Sequence, residues 1–184
     1  MSRQKIRMSS KNIFLGTNIL GGLFVLGGYV LGLSFYPEYN EALWGGVKGP
    51  LRSIFAISIL PAAVGYLTFC YVTMFKNGAE AINRNSVIGQ HPVSVLYAIF
   101  LASAAGWMPT LIAYIHTSES YWWVISVSSL WITALSLLTL TIIAATTSTS
   151  EISQASKNAA VIGIAYTTFH CLVIDAIVWV SMFQ

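Results

Sequence analysis

The sequence predicts an all-α integral membrane protein folded as a single bundle of five transmembrane helices. Three observations carry that prediction. Of 184 residues, 56% are hydrophobic and 8% are charged, whereas an ordinary soluble domain is roughly 25% charged. Five apolar stretches, 13–36, 52–75, 92–116, 121–147 and 159–182, each reach the roughly 20 residues that a helix needs to cross a hydrocarbon core. These stretches use most of the chain, so 13–184 reads as one transmembrane domain behind a basic tail, 1–12, with no room for a separate soluble unit.

The tail MSRQKIRMSSK precedes an apolar run as a signal peptide would. That run has 24 residues and no small-residue cleavage site after it, so it reads as the first membrane span. Span one carries Gly21, Gly22, Gly28 and Gly32 with Asn18 near one broad stripe, and Gly28 to Gly32 is a GxxxG pair. Span two contains Pro61. Span three places Ser94, Ala98, Ala102 and Gly106 at every fourth position before Trp107 and Pro109. Span four sets Ser126, Ser129, Thr133 and Ser136 along one side as hydrogen-bonding glue. Small residues let membrane helices approach closely, so these seams are expected to pack the bundle. The Gly28/Gly32 pair and the Ser94/Ala98/Ala102/Gly106 seam are also candidate contacts for a homo-oligomer. Cys70 and Cys171 both fall inside spans, where a thiol behaves as a small buried hydrophobe.

Charge sets the expected orientation. With the N-terminus in the cytoplasm, Arg3, Lys5, Arg7, Lys11, Lys76, Arg84 and Lys157 lie inside and only Lys48 and Arg52 outside, which favours N-in and C-out by the positive-inside rule. Tyr36, Tyr39, Trp44, Tyr121, Trp122 and Trp123 cluster at the expected outer boundary. The net charge of +3 is therefore a topology signal and points to the lipid bilayer as partner rather than to nucleic acid. No nucleotide motif, metal-ligand spacing or phosphate-cradling glycine loop is present, so any function is built within the bundle or on its rim.

Two polar residues stand out in span five, within FHCLVIDAIVWV. At about 100° per residue, Thr168, Cys171, Asp175 and Trp179 share one stripe, while His170 lies about 140° from Asp175, above Tyr166. An α-helical span five therefore predicts that His170 and Asp175 are not a local pair and that each meets a different helix. Counted at about 1.5 Å per residue, Asp175 is on the order of 10 Å from the outer end of its span. Trp107, Pro109, Pro61, Ser129 and Thr133 fall at similar depth. The two prolines are expected to break their helices and to free the carbonyls of Ile57 and Ala105. An acid within a membrane costs roughly 2.5 to 3.5 kcal/mol on insertion scales, which makes Asp175 a functional candidate; a packing role, with a protonated Asp175 donating to a freed carbonyl or a serine, is the alternative.

The third span, YAIFLASAAGWMP, has Tyr97, then Trp107 ten residues later, then Pro109. With Tyr166 and Phe169 in span five and Leu130-Trp131 in span four, it resembles the TspO family, the tryptophan-rich sensory and translocator proteins. The resemblance implies five helices enclosing an aromatic-lined pocket for a tetrapyrrole or sterol-like ligand, with Trp107 stacking on it and Asp175 supplying one orienting hydrogen bond. LWGGVKGP (43–50) stands where the family has W-N-P-P, and the charge bias is opposite to the orientation the family implies. The leading functional expectation is a ligand-binding receptor or carrier whose site draws on Asp175, Trp107, His170, Tyr166, Tyr97, Thr168, Ser129 and Thr133. A proton- or ion-coupled transporter or channel subunit using Asp175 ranks second, and a structural subunit of a larger membrane complex third. An enzyme ranks last, because no nucleophile, paired acid or metal set is evident.

Overall fold

The computed structural model describes residues 10–84, 91–147 and 152–183. The tail residues Arg3, Lys5 and Arg7, which weigh on the expected orientation, lie outside the described residues. Among the described residues, five helices are long and apolar enough to cross a membrane, as expected. They are α1 (Ser10–Phe35), α2 (Gly49–Phe75), α4 (Pro92–Thr117), α5 (Ser120–Thr146) and α6 (Gln154–Phe169), the last continuing through a differently wound stretch, His170–Trp179, to a final turn at Val180–Met182. A short helix, α3 (Gly78–Arg84), follows α2.

Two helices begin before their apolar runs, for local reasons. α2 starts at Gly49, with Pro50 in the first turn, where a missing N–H costs nothing. α6 starts at Gln154 because the Ser153 hydroxyl accepts the Ser156 N–H at 3.2 Å and so caps a polar first turn. The α4–α5 hairpin closes through Ser118 in the left-handed region, φ 58°, whose N–H returns to Tyr114 O at 2.8 Å.

The helices are arranged in the order α1, α4, α5, α6, α2, each packed along the next. α1 and α2 touch mainly at the basic end, where Lys11 lies over the Phe75 ring and Tyr66 Oη donates to Asn18 Oδ1 at 2.6 Å. Two hydrophobic clusters fill the interior. One, at the basic end, surrounds Tyr97 with Phe14, Phe69, Phe100, Leu137 and Ile164; the other, at the loop end, joins Met108, Leu111, Leu130, Ile174 and Trp179. Hydroxyl pairs bridge neighbouring helices: Ser103 with Thr133 at 2.7 Å, and Thr141 with Thr168 at 2.8 Å.

Of the expected packing seams, Gly21 and Gly32 lie against Leu101 and against Met108 and Ile112 of α4, and Gly28 faces Ala105 O of the same helix. Ser94 is buried and Gly106 faces Ser129, whereas Ala98 and Ala102 are exposed along the α1/α4 groove. A closer approach occurs between α2 and α6, where Gly65 and Gly163 meet backbone to backbone: a Cβ on Gly163 would stand 2.7 Å from Gly65 O.

The expected helix breaks at Pro61 and Pro109 do not occur, since α2 and α4 run through both. Both rings lie on the exposed surface of the bundle, and side chains in the adjoining turns bond the local carbonyls: Ser58 Oγ to Phe55 O at 2.8 Å, and Thr110 Oγ1 to Gly106 O at 2.8 Å. These bonds go to carbonyls adjoining those of Ile57 and Ala105, from which the prolines withhold a donor.

The α1–α2 connection folds over the loop end in two 3₁₀ turns, Pro37–Tyr39 and Ala42–Trp44, and buries Leu43 and Val47. Trp179 Nε1 donates to Leu43 O at 3.2 Å, and Gly46 N donates to Met182 O at 3.0 Å. Arg52 donates twice to Glu41, at 2.7 and 3.1 Å, while its guanidinium lies 4.5 Å over the Trp44 ring. These bonds, and the charge of Arg52, hold the Glu41 carboxyl below the ordinary carboxylate range. The contribution of the pair is therefore complete above the unfolded pKa, roughly 4, and is lost as pH falls through the lower folded value. Acidification below about pH 4 is expected to change Trp44 fluorescence, and Glu41→Gln is expected to remove that transition; a transition that persists in Glu41→Gln would assign it elsewhere.

Candidate functional site: an intramembrane histidine–aspartate pair

The site arises from how the last span is wound. Over His170–Trp179 the helix is a π-helix, its hydrogen bonds running from residue i to i+5 rather than i+4. A wider turn needs more residues to close, so positions five apart come back to nearly the same side. His170 and Asp175 are five apart. His170 Nε2 and Asp175 Oδ2 lie 3.6 Å from each other, and the two side chains are 10% and 32% exposed. The expectation that these residues face different neighbours is thus corrected: it assumed about 100° per residue, and that winding does not hold here.

His170 is held from its other side by α2. The Ser58 hydroxyl donates to Phe55 O, so its lone pair receives the Nδ1–H of His170 at 2.9 Å. This network assigns the tautomer. Nδ1 keeps its proton, and Nε2 faces Asp175, so that one further proton taken up by the pair would lie either on Nε2 or on the carboxyl. With that proton bound the pair is neutral overall, and without it the pair is a neutral imidazole beside a carboxylate. The 3.6 Å separation is a few tenths of an ångström beyond a hydrogen bond and needs only a small side-chain rotation to close.

Asp175 has further neighbours within electrostatic range, Cys171 on its own helix and Tyr29 on α1. The Tyr29 ring lies 5.9 Å from that of Trp107, and Trp107 meets Trp179 edge-on at 5.6 Å. Trp123 and Phe183 extend this row of rings toward the loop end. Trp107 Nε1 is buried without a hydrogen-bond partner among the described residues.

The other residues marked in the sequence are dispersed. Tyr97 is fully buried in the basic-end cluster, where Cys70 Sγ donates to its hydroxyl at 3.8 Å. Thr168 is paired with Thr141, and Thr133 with Ser103. Ser129 bonds back to Ile125 O of its own helix at 2.9 Å. Tyr166 packs against the exposed ring of Phe169 at 6.0 Å. Asp175 and His170 therefore stand together, Trp107 is in the adjoining aromatic row, and the remaining five belong to other contacts.

Two residues that serve this site were not legible as such in the sequence. Ser58 is one hydroxyl in an apolar span, and Tyr29 sits inside the GxxxG pair, where the glycines draw the eye. The proximity of Ser58 to Pro61 was the one available hint, since a proline frees a carbonyl nearby.

The fold and the site define a multi-pass helical membrane protein with a His–Asp pair within its bundle. No protein-family model, curated protein or solved structure matches the chain.

Proposed function

We propose that this chain is a proton-coupled membrane transport protein in which the His170–Asp175 pair carries the coupling proton. The observation that supports the reading is the pair itself, an acid and a base brought together by a π-helix inside a span, with the imidazole fixed by Ser58. Ionisable residues in membrane spans mark proton relays and substrate paths because their insertion is costly, and π-helical turns recur at functional sites. Asp175 alternates between a protonated and an ionised state as His170 gives and takes the shared proton. Orientation follows the positive-inside expectation, with the Lys11/Lys76/Lys157 end in the cytoplasm.

In proteoliposomes, the wild-type chain is expected to dissipate an imposed pH gradient and Asp175→Asn to do so no faster than empty vesicles. Equal rates for wild type and Asp175→Asn would remove the pair from any transport mechanism.

The resemblance to the TspO family supports a second reading, a receptor for a planar tetrapyrrole or sterol-like ligand beside Trp107. What favours it is the buried, unpartnered indole N–H of Trp107, a donor for a ligand oxygen. Trp107→Phe keeps the ring and removes the donor, so under this reading it weakens porphyrin binding, measured by saturable tryptophan quenching.

A further inference from the structure

We propose that the Asp175 site binds a lipophilic organic cation, a substituted ammonium or phosphonium, in exchange for the proton held with His170. The inference rests on the proton-coupled reading above and names its substrate class.

The chemistry follows from charge, access and wall. Asp175 sits about two turns in from the loop end of its span, yet its side chain is 32% exposed, while Tyr97 and Ser126 elsewhere in the interior are fully buried. α1 and α2 share few contacts along their length, and the contacts of Tyr66 with Asn18 and of Lys11 with Phe75 lie toward the basic end. Tyr29 on α1 and Ser58 on α2, which reaches Asp175 through His170, flank the pair. A solute entering from the hydrocarbon or its interface must itself be largely apolar.

The wall selects the charge. Tyr29, Trp107 and Trp179 form a continuous aromatic row beside the carboxylate, and ring faces attract cations through their quadrupole. An anion meets the carboxylate and is repelled. A neutral apolar solute leaves Asp175 with nothing to balance it. Among the described residues, the titratable groups facing Asp175 are His170, Cys171 and Tyr29, and Arg52, the basic residue near the loop end of α2, is held by Glu41.

The exchange is stoichiometric. Without cation, the pair holds one shared proton and is neutral. When the cation docks, that proton leaves to water from Nε2 or from the carboxyl, His170 remains as neutral imidazole with Nδ1–H on Ser58, and the cation balances the Asp175 carboxylate. One positive charge enters as one leaves, so the site stays neutral in both states and no net charge is buried.

The test uses purified protein in detergent micelles with tetraphenylphosphonium as probe and tetraphenylborate as an anion of the same shape. Tetraphenylphosphonium is expected to quench tryptophan fluorescence saturably and to release one proton per bound cation in weakly buffered solution. Its affinity should fall about tenfold per pH unit once the site is protonated, which is the linkage of one proton to one cation. Asp175→Asn is expected to lose at least tenfold in affinity and all proton release. Tyr29→Leu, which leaves the acid in place, is expected to weaken binding several-fold with the proton count unchanged. Equal binding of the two probes, unaltered binding by Asp175→Asn, or binding without proton release would each overturn the cation site. The proteoliposome assay separates the two ideas: Asp175-dependent proton flux with no cation binding defeats this inference alone. Asp175-dependent cation binding with proton release, but without flux, leaves the cation site in place and defeats the transport reading.

Discussion

Gly65→Ala is expected, with its reciprocal Gly163→Ala, to be among the most destabilising single methyl additions within the spans. The new Cβ would collide with the Gly163 carbonyl and approach Thr167 Oγ1 to 3.0 Å, and the obstacle is mostly backbone, which cannot rotate away as a side chain does. Relief requires α2 and α6 to separate, which also strains the bond from Thr167 Oγ1 to Ala62 O at 2.9 Å. Overpacking of a well-packed site costs about 1–3 kcal/mol and sometimes more; with backbone on both sides, about 3 kcal/mol or above is expected. Gly22→Ala is the control, because a Cβ there meets nothing within 4 Å, and it should leave stability unchanged or raise it by up to about 1 kcal/mol through helix propensity. Thermal unfolding in micelles compares the two. Equal midpoints would mean that α2 and α6 do not cross at this pair.

The second large effect concerns the His–Asp pair and is read from a double-mutant cycle. Asp175→Leu leaves His170 bonded to Ser58 and able to remain neutral, so it removes an acid from the membrane interior and should not destabilise. His170→Leu is different. It leaves Asp175 without its proton partner, and orphaning one member of a fully buried pair costs about 3–5 kcal/mol. Because the Asp175 side chain is 32% exposed, the pair is not fully buried and a smaller loss of about 1–3 kcal/mol is expected. The double variant should recover most of that loss, since an apolar pair of similar bulk replaces an ionic one. The coupling energy across the cycle is then substantial and unfavourable to the single His170 variant. Additive stabilities across the four proteins would mean that the two side chains do not interact. Transport assays on the same four variants should find Asp175→Leu and the double variant inactive, so that stability and activity move in different directions.

Those two predictions concern contacts of different legibility. The stripe of small residues in span one was visible as a repeat, and Gly21 and Gly32 do lie against α4. Gly65 and Gly163 were not visible, because each is an isolated glycine in its helix and nothing local marks the crossing. Asp175 was legible as a costly residue from its type and depth alone. Its partner was not, because His170 is excluded by α-helical geometry and admitted only by the wider π turn. The depth estimate set Trp107, Pro61, Pro109, Ser129 and Thr133 in one layer. Depth does not decide azimuth, however, and the prolines turned outward while Thr133 turned to Ser103.

By itself the sequence determined that this is a membrane protein of five spans and that an acid lies within the last of them. Those properties depend on composition and run length measured against the thickness of a bilayer, and each can be summed along the chain. The tertiary structure alone decided that His170 meets Asp175, that Ser58 sets the imidazole tautomer, and that α2 crosses α6 at two glycines. Such contacts depend on helix winding and on the angle at which neighbours cross, and a change of one residue per turn moves a side chain from one neighbour to another.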